Sequence, residues 1–418
     1  MSARHFKREE TSQMVGGAPL PDDTPMPEGA LPTDTAAQAP LPNPQAHSIS
    51  SPRRSRVLPI VLGALLSIVF IALCAGAIWY AKVDRSLKPG EDGAALTATL
   101  TTQQEAAEQG DLQGTYVLLV GSDAREGDTV SRGDVLMLAR IDSAGHKVTL
   151  VSIPRDTMVN IAGAVGIQKI NAAYAFGGAS TAVYEVSRFC GVPISHYVEI
   201  DFNGLKKVVD LLGGVQVNIP ETVSLSQGGT IEAGQQTLTG EQALAYARER
   251  YGASGGDFSR AQAQRLIVQA IILQVMQANP AELPVLIGSL AQCVKTDYSM
   301  SDAIALSLQL RKGENTVYSA VCPSYTLWQD GVSYDGTMFN EWRDMMKRVD
   351  AGLDPNDTTV PIPEPQASDP KLGEAANSAA PIDYYPLISQ GMTTENVTAG
   401  EAEAAAEGAT EGTAEDAA

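Results

Sequence analysis

The sequence predicts an α/β domain that follows a single membrane-crossing helix. Three observations carry this: an uncharged apolar run at residues 57–80, strand-like apolar segments beginning after residue 114, and helical segments that then alternate with strands to about residue 353.

The run VLPIVLGALLSIVFIALCAGAIWY contains no charged residue, and as a helix it extends about 36 Å, enough to cross a bilayer. Arg53, Arg54 and Arg56 precede it, whereas Lys82, Asp84 and Arg85 follow with a smaller net charge, so the N-terminus is expected in the cytoplasm and the rest outside the cell. This places the protein in the cell membrane as a single-pass chain. A cleaved signal peptide is the alternative, because Ala75-Gly76-Ala77 resembles a cleavage site, but the apolar run continues through Trp79 and Tyr80. Leu73 directly before Cys74 excludes a lipoprotein signal.

Residues 1–56, rich in Pro, Ala, Asp and Gln, read as a disordered cytoplasmic region. Residues 81–113 read as a stalk or leading helix, 114–353 as the outer domain, and 354–418 as a disordered acidic tail. A net charge of -20 argues against nucleic acid as a partner, since no general excess of Lys and Arg exists to neutralise phosphates. Any phosphate site must be local.

Within the outer domain, residues 116–120, 135–141 and 148–153 read as strands, the last two joined through a Ser143-Ala144-Gly145 turn. Helix at 179–189, strand at 197–200, helix at 204–212, strand at 215–219 and helices at 241–248 and 259–277 follow. Gly213-Gly214 has the form of a helix C-cap, and Asp257 or Ser259 is placed to cap the long helix. Apolar helices near 284–293 and 301–310 and a strand at 316–321 continue the domain. Beyond Cys74, Cys190 reads as a buried thiol, while Cys293 and Cys322 are the candidates for a disulfide closing a loop of roughly thirty residues.

Arginines and aspartates gather where strands and helices end, which is where an α/β sheet presents ligand-binding groups. The first strand runs into Asp123 and Arg125, and the second is entered through Arg132-Gly133-Asp134. Asp123 and Asp134 suit Mg²⁺, which takes one or two carboxylates beside phosphate oxygens and water; the alternative is a pair of loop carboxylates bridged to Arg125 and Arg132. Arg155 follows Pro154 at the exit of the third strand, able to fork onto a phosphate or to pair with Asp156 as a structural corner. Arg248 and Arg250 fall on opposite sides of a regular helix, so they can share a site only if that helix ends beside them, as the glycine-rich loop at 252–256 suggests. Arg260 and Gln264 share a face in the first turns of the next helix, either at an anion or on a solvated surface. No Walker loop, serine elbow or zinc spacing accompanies them, and His146 and His196 read as surface or strand residues.

These segments, together with Lys169-Ile170-Asn171-Ala172-Ala173-Tyr174, Val209-Asp210 and Gly213-Gly214-Val215, resemble the LytR-CpsA-Psr family from about residue 116 to 270. The resemblance implies a three-layer α/β/α sandwich with a central mixed sheet. It implies a phosphotransferase that moves a polyprenyl-pyrophosphate-linked glycopolymer, such as teichoic acid or capsular polysaccharide, onto peptidoglycan. Carried onto this sequence, Asp123 and Asp134 match the magnesium-associated aspartates, and Arg132, Arg155, Arg248, Arg250, Arg260 and Gln264 match the head-group site. Asp134, Arg155, Arg248 and Arg250 are the residues expected to carry catalysis; Arg125 and Asp156 lie in the motifs without an assigned role. Val135 stands where the family commonly carries Thr. A hydrolase of the same lipid and a non-catalytic envelope regulator remain the alternative readings.

Overall fold

A computed structural model describes residues 57–88, 93–109, 114–122, 133–311, 316–389 and 393–394, with the side chains of the first stretch given from residue 70, apart from 86 and 87. The helices are α1 (Val57–Leu87), α2 (Gly93–Gln109), α3 (Ala172–Cys190), α4 (Phe202–Leu211), α5 (Gly240–Arg248), α6 (Asp257–Gln277), α7 (Leu283–Leu290), α8 (Met300–Leu310), α9 (Phe339–Asp350), α10 (Glu364–Ala367) and α11 (Tyr385–Ile388). The strands are β1 (Thr115–Ser122), β2 (Gly133–Asp142), β3 (Lys147–Ile153), β4 (Met158–Val159), β5 (Gln168–Lys169), β6 (His196–Asp201), β7 (Val215–Ile219), β8 (Val223–Ser224), β9 (Thr230–Ile231), β10 (Gly234–Leu238), β11 (Val294–Thr296), β12 (Thr316–Val321), β13 (Ser324–Gln329) and β14 (Val332–Thr337).

By compactness the chain divides between Gly63 and Ala64, inside α1, and every other element belongs to the second unit. Among the described residues no helix is long and apolar enough to cross a membrane. The side chains of residues 57–69, the first part of the apolar run, lie outside that description, as do residues 1–56.

The central sheet has the order β11-β6-β1-β2-β3-β12 and is mixed: β1/β2 and β2/β3 are antiparallel, β1/β6 and β3/β12 parallel. Successive side chains on a strand point to opposite faces, so a strand covered on both sides must be apolar throughout. Strand β1 obeys this. Its Tyr116, Leu118 and Val120 pack with α2, α3 and α9, while Val117 and Leu119 pack on the other face with residues of α6 and α8. The layers are helix, sheet, helix, as the α/β/α expectation requires. The β2–β3 turn forms at the expected place, with Asp142 opposite Lys147 and Gly145 N–H donating to Asp142 Oδ1 at 2.7 Å.

Two expectations are corrected here. Residues from 354 onward do not form a loose tail up to 389: Leu372 and Ala375 enter the main core, and the Gly373 and Ala375 N–H groups donate to the carbonyls of Cys190 and Phe189 at 2.9 and 3.1 Å. Gly191 caps α3 at φ 71°, and a Cβ there would lie 1.7 Å from the Lys371 carbonyl, so the segment docks where only glycine fits. Residues 395–418 lie outside the described residues. The Cys293–Cys322 pairing is also not made: all four thiols are free, with Cys322 buried in the core that holds Cys190, and Cys293 half-buried after α7.

Asn377 secures the C-terminal segment by donating from Nδ2 to the Glu185 carbonyl at 3.0 Å and to its Oε2 at 2.7 Å, both in the interior. Truncation Asn377→Ala leaves buried Glu185 short of its donor and is expected to lower unfolding free energy by about 1–3 kcal/mol in urea titrations. A solvated tail would show no change.

Candidate functional site

The register of β2 against β3 pairs Leu136 with Ile153, which brings the entry of one strand beside the exit of the other. Arg155 therefore reaches Asp134, donating from Nη1 to Oδ1 at 2.9 Å. Its Nε lies 3.7 Å from Asp156 Oδ1 and 3.5 Å from Asp257 Oδ2. Asp257 also takes Arg260 Nη2 at 2.7 Å and Arg250 Nε at 4.0 Å. One carboxylate thus holds three guanidinium groups.

That carboxylate does not cap α6, contrary to the sequence expectation. The cap position is Gly256 at φ 59°, with no side-chain cap bond, and Ser259 Oγ accepts the Gly255 N–H at 2.9 Å. Asp257, the first residue of α6, is turned to the arginines because three cations attract it more strongly than a neutral amide would. Sequence reading missed this role, since an aspartate before an apolar helix gives the same signal as a cap.

Burial works against the Arg155 charge, but Asp257, Asp156 and Asp134 outweigh it and hold the group more firmly protonated than usual. Arg260 is pulled down to about 10, by burial first and by the repulsion of Arg155 and Arg250, with Asp257 opposing. Arg155 Nε and Arg260 Nε are buried without a hydrogen-bond partner among the described residues. Buried donors of this kind leave capacity for a further anion.

Helix α5 ends at Arg248, which is the condition the sequence set for Arg248 and Arg250 to approach one site. The turn is organised by Glu249, whose carboxylate accepts the N–H groups of Arg250, Tyr251 and Gly252 at 3.0, 3.0 and 3.1 Å and two donors of Ser226. Despite its burial, these bonds hold Glu249 down to about 2. Arg248 is not in the Asp257 cluster; its guanidinium lies over the Phe202 ring at 4.6 Å.

Phe202 belongs to the wall of an apolar cavity of about 240 Å³ between the sheet, α4 and α6, lined also by Met137, Leu205, Ile267, Ile271 and Leu290. Val135 and Gln264 line both this cavity and a narrow pocket containing Asp134, Arg155, Asp257 and Arg260. Gln264 is fixed there by donating to the Ala247 carbonyl at 2.9 Å. Val135 stands opposite Gly121, where a Cβ would sit 2.6 Å from Val135 Cγ2, so valine is accommodated by glycine across the strands. On the far side, Asp134 and Arg155 also line a polar cleft of about 450 Å³ with Lys169, Gln168, Phe176 and Tyr334. Lys169 binds Asp156 at 3.0 Å.

Asp123, Arg125 and Arg132 lie outside the described residues. No group of three or more His, Cys, Asp or Glu side chains that could hold a metal occurs among the described residues. His196 binds Asp297 at 2.7 Å and stacks on Tyr298, away from the cluster. A further residue is added by the C-terminal hairpin: Asp335 of β14, whose N–H donates to the Asp156 carbonyl at 2.9 Å, is 7% exposed and is pushed up to about 7 by burial and by Asp156 and Asp257.

Residues 88–349, more than half of the chain, match the LytR_cpsA_psr family. The chain belongs to the LytR-CpsA-Psr family. An Enterococcus faecalis relative, named polyisoprenyl-teichoic acid–peptidoglycan teichoic acid transferase TagU, is 32% identical over 286 residues, covering 67% of this chain and 91% of the relative. A Halalkalibacterium halodurans protein of the same name is 39% identical over 187 residues, 44% of this chain and 61% of its own. A solved Streptococcus agalactiae structure superposes with a TM-score of 0.53 at 21% identity, over 68% of this chain and 97% of that one, a likeness of fold. The matched span carries both cavities and the Asp257 cluster, so the site is built within the LytR-CpsA-Psr part of the chain.

Two carboxylates give opposite pH signatures. Glu249 is depressed in the folded state, so its stabilisation is present above the unfolded value near 4.3 and is lost as pH falls through about 2. Glu249→Gln should unfold at lower urea than wild type at pH 7, with the gap closing below pH 3–4. Asp335 is raised, so its contribution is full below the unfolded value near 3.9 and is lost as pH rises through about 7. Asp335→Asn should therefore gain on wild type from about pH 4 to 7 in the same titrations and keep a constant lead above about pH 8; a flat difference between pH 4 and 7 would contradict the raised value.

Proposed function

We propose that this protein transfers a polyprenyl-pyrophosphate-linked glycopolymer of the teichoic acid or capsular type to a hydroxyl of peptidoglycan, releasing polyprenyl phosphate. The observation that carries the reading is the wall of Val135 and Gln264 shared by an apolar cavity and a pocket of arginines. A lipid diphosphate has the same two halves. The names of the E. faecalis and H. halodurans relatives support the polymer and acceptor classes.

In this reading the head-group end of the isoprenoid chain lies against Ile267, Ile271 and Phe202, where removal of apolar surface from water favours binding. The pyrophosphate is met by Arg155 and Arg260 from the pocket and by Arg248 and Arg250 from the end of α5. The polymer leaves through the polar cleft beside Lys169 and Tyr334. The acceptor oxygen attacks the polymer-proximal phosphorus, its new P–O bond replacing the bond to the bridging oxygen, which departs as polyprenyl phosphate. The proton lost by the acceptor passes to a site carboxylate or to solvent. Guanidinium groups already fixed by Asp257 need little reorganisation to stabilise charge on the transferring phosphoryl group.

Mg²⁺ fits the hard oxygen donors present. Asp134 is 21% exposed and faces the pocket, and Asp156 and Asp257 lie around the same Arg155 guanidinium. Asp134 would hold the ion with Asp123, and the ion would neutralise phosphate oxygens of the bound diphosphate. The apolar run at 57–80 supports a single-pass membrane anchor with a cytoplasmic N-terminus, which would keep the site on the same side as its lipid and its wall acceptor.

Arg155→Ala is expected to lower glycan-attached polymer roughly 10²–10³-fold in an assay with lipid-linked donor and peptidoglycan oligomer, while circular dichroism and membrane insertion stay unchanged. Filling the cavity with Ile271→Phe should raise KM for a long-chain donor more than for a short-chain one. Cleavage of the donor at an undiminished rate without acceptor, with no polymer attached, would identify a hydrolase instead.

A further inference from the structure

Helix α6 is covered on two sides by unlike surroundings. Ile267, Val268, Ile271 and Ile272 face the apolar cavity described above. Leu266, Gln269, Ala270, Leu273, Gln274 and Gln277 face a separate cleft of about 600 Å³ formed with the β7–β10 hairpin. The two sets each recur at spacings of three and four but are offset by about two residues, roughly 200° around the helix, so they occupy opposite faces.

The second cleft has a distinctive chemistry. Its polar groups are amides, Gln216 and Asn218 of β7, Gln235 of β10, and Gln269, Gln274 and Gln277 of α6, with the hydroxyl of Thr237. No charged side chain lines it, in a protein of net charge -20. Register places Gln216 opposite Thr237 and Asn218 opposite Gln235, so the hairpin presents its polar groups in cross-strand pairs. Gln274 is held by donation to the Leu212 carbonyl at 2.7 Å, and Gln269 is directed toward the Val317 carbonyl at 3.4 Å. Gln216, Asn218, Gln235 and Gln277 make no side-chain bond within the protein among the described residues, leaving their amides for a ligand. Leu266 and Leu273, both half-buried, supply apolar surface beside them.

A volume of about 600 Å³ lies within the roughly 300–1,000 Å³ of small-molecule sites. Amides offer paired donors and acceptors to hydroxyl and acetamido groups, and the aliphatic surface suits the C–H faces of a sugar ring. A polyanionic polymer finds no cation here to replace its water, whereas an uncharged glycan loses little on leaving solvent.

We propose that the β7–β10/α6 cleft binds an uncharged oligosaccharide of the acetamido-sugar type, as a docking site distinct from the arginine pocket. Gln269 lies nine residues along α6 from Arg260, a rise of roughly 13 Å and about half a turn around the helix, so the two concavities lie on opposite sides of it. A strand seated in the cleft would serve to hold acceptor glycan at the protein, across α6 from the arginine pocket. That purpose rests on the transferase reading; the binding itself does not.

The test is isothermal titration of the full-length protein in detergent micelles with an uncharged β-1,4-linked N-acetylglucosamine tetramer. Wild type is expected to bind saturably, and Gln216→Ala/Gln235→Ala about tenfold more weakly, two lost hydrogen bonds of about 0.7 kcal/mol each. Arg155→Ala should bind as wild type does. Both altered positions are exposed, and an unchanged thermal midpoint verifies folding. No saturable binding up to millimolar tetramer overturns the proposal. So does loss in Arg155→Ala with none in the cleft variant, or displacement of the tetramer by a short neutral peptide added along the free edge of β7. Binding in the cleft by a protein inactive in transfer would sink the transferase reading alone.

Discussion

Asp257 is the residue on which the arrangement of the site depends. Three guanidinium groups within 4.0 Å of one carboxylate would repel one another without it; Arg260 is drawn down to about 10, first by burial and then by Arg155 and Arg250, with Asp257 opposing the shift. The aspartate occupies the place of an anion before any substrate arrives. It does not exhaust the arginines, because the buried Nε atoms of Arg155 and Arg260 keep unused donor capacity. A diphosphate entering the pocket therefore meets cations whose side-chain entropy has already been lost and whose spacing has been set, which is the condition for electrostatic preorganisation.

The scaffold supplies this geometry from three separated parts of the chain. The β2–β3 register brings Asp134 and Arg155 together, the turn organised by Glu249 directs Arg248 and Arg250, and the first turn of α6 adds Asp257 and Arg260. The C-terminal hairpin adds Asp335 through the backbone bond to Asp156. Asp335 is a cost rather than a support when ionised, since its own burial and then the Asp156 and Asp257 carboxylates disfavour its charge.

Much of this was legible in the sequence because the signals were local. Continuous apolar runs marked β1 to β3, and the glycine-rich loop after Arg250 marked the end of α5. What escaped was non-local. Asp257 looked like a cap because only the folded chain brings Arg155, a hundred residues earlier, against it. Asp335 lay in an unremarkable β-strand. Residues 372–377 have too little apolar content to announce burial, and they are ordered by backbone bonds to the end of α3 and by the space Gly191 leaves. The expected Cys293–Cys322 pair failed for a like reason: spacing allowed it, but the fold buries Cys322 beside the Cys190 core instead.

Helix α6 shows why periodicity alone underdetermined function. A surface helix has one apolar stripe and one solvated face, whereas α6 has an apolar stripe toward one cavity and an amide stripe toward another. With Arg260 and Gln264 at its start, the same helix forms one wall of the apolar cavity, the arginine pocket and the neutral cleft. A rigid element shared in this way fixes the distances among whatever the three concavities hold. For a reaction between a lipid-borne donor and an insoluble acceptor, positioning of that kind is itself a contribution to rate.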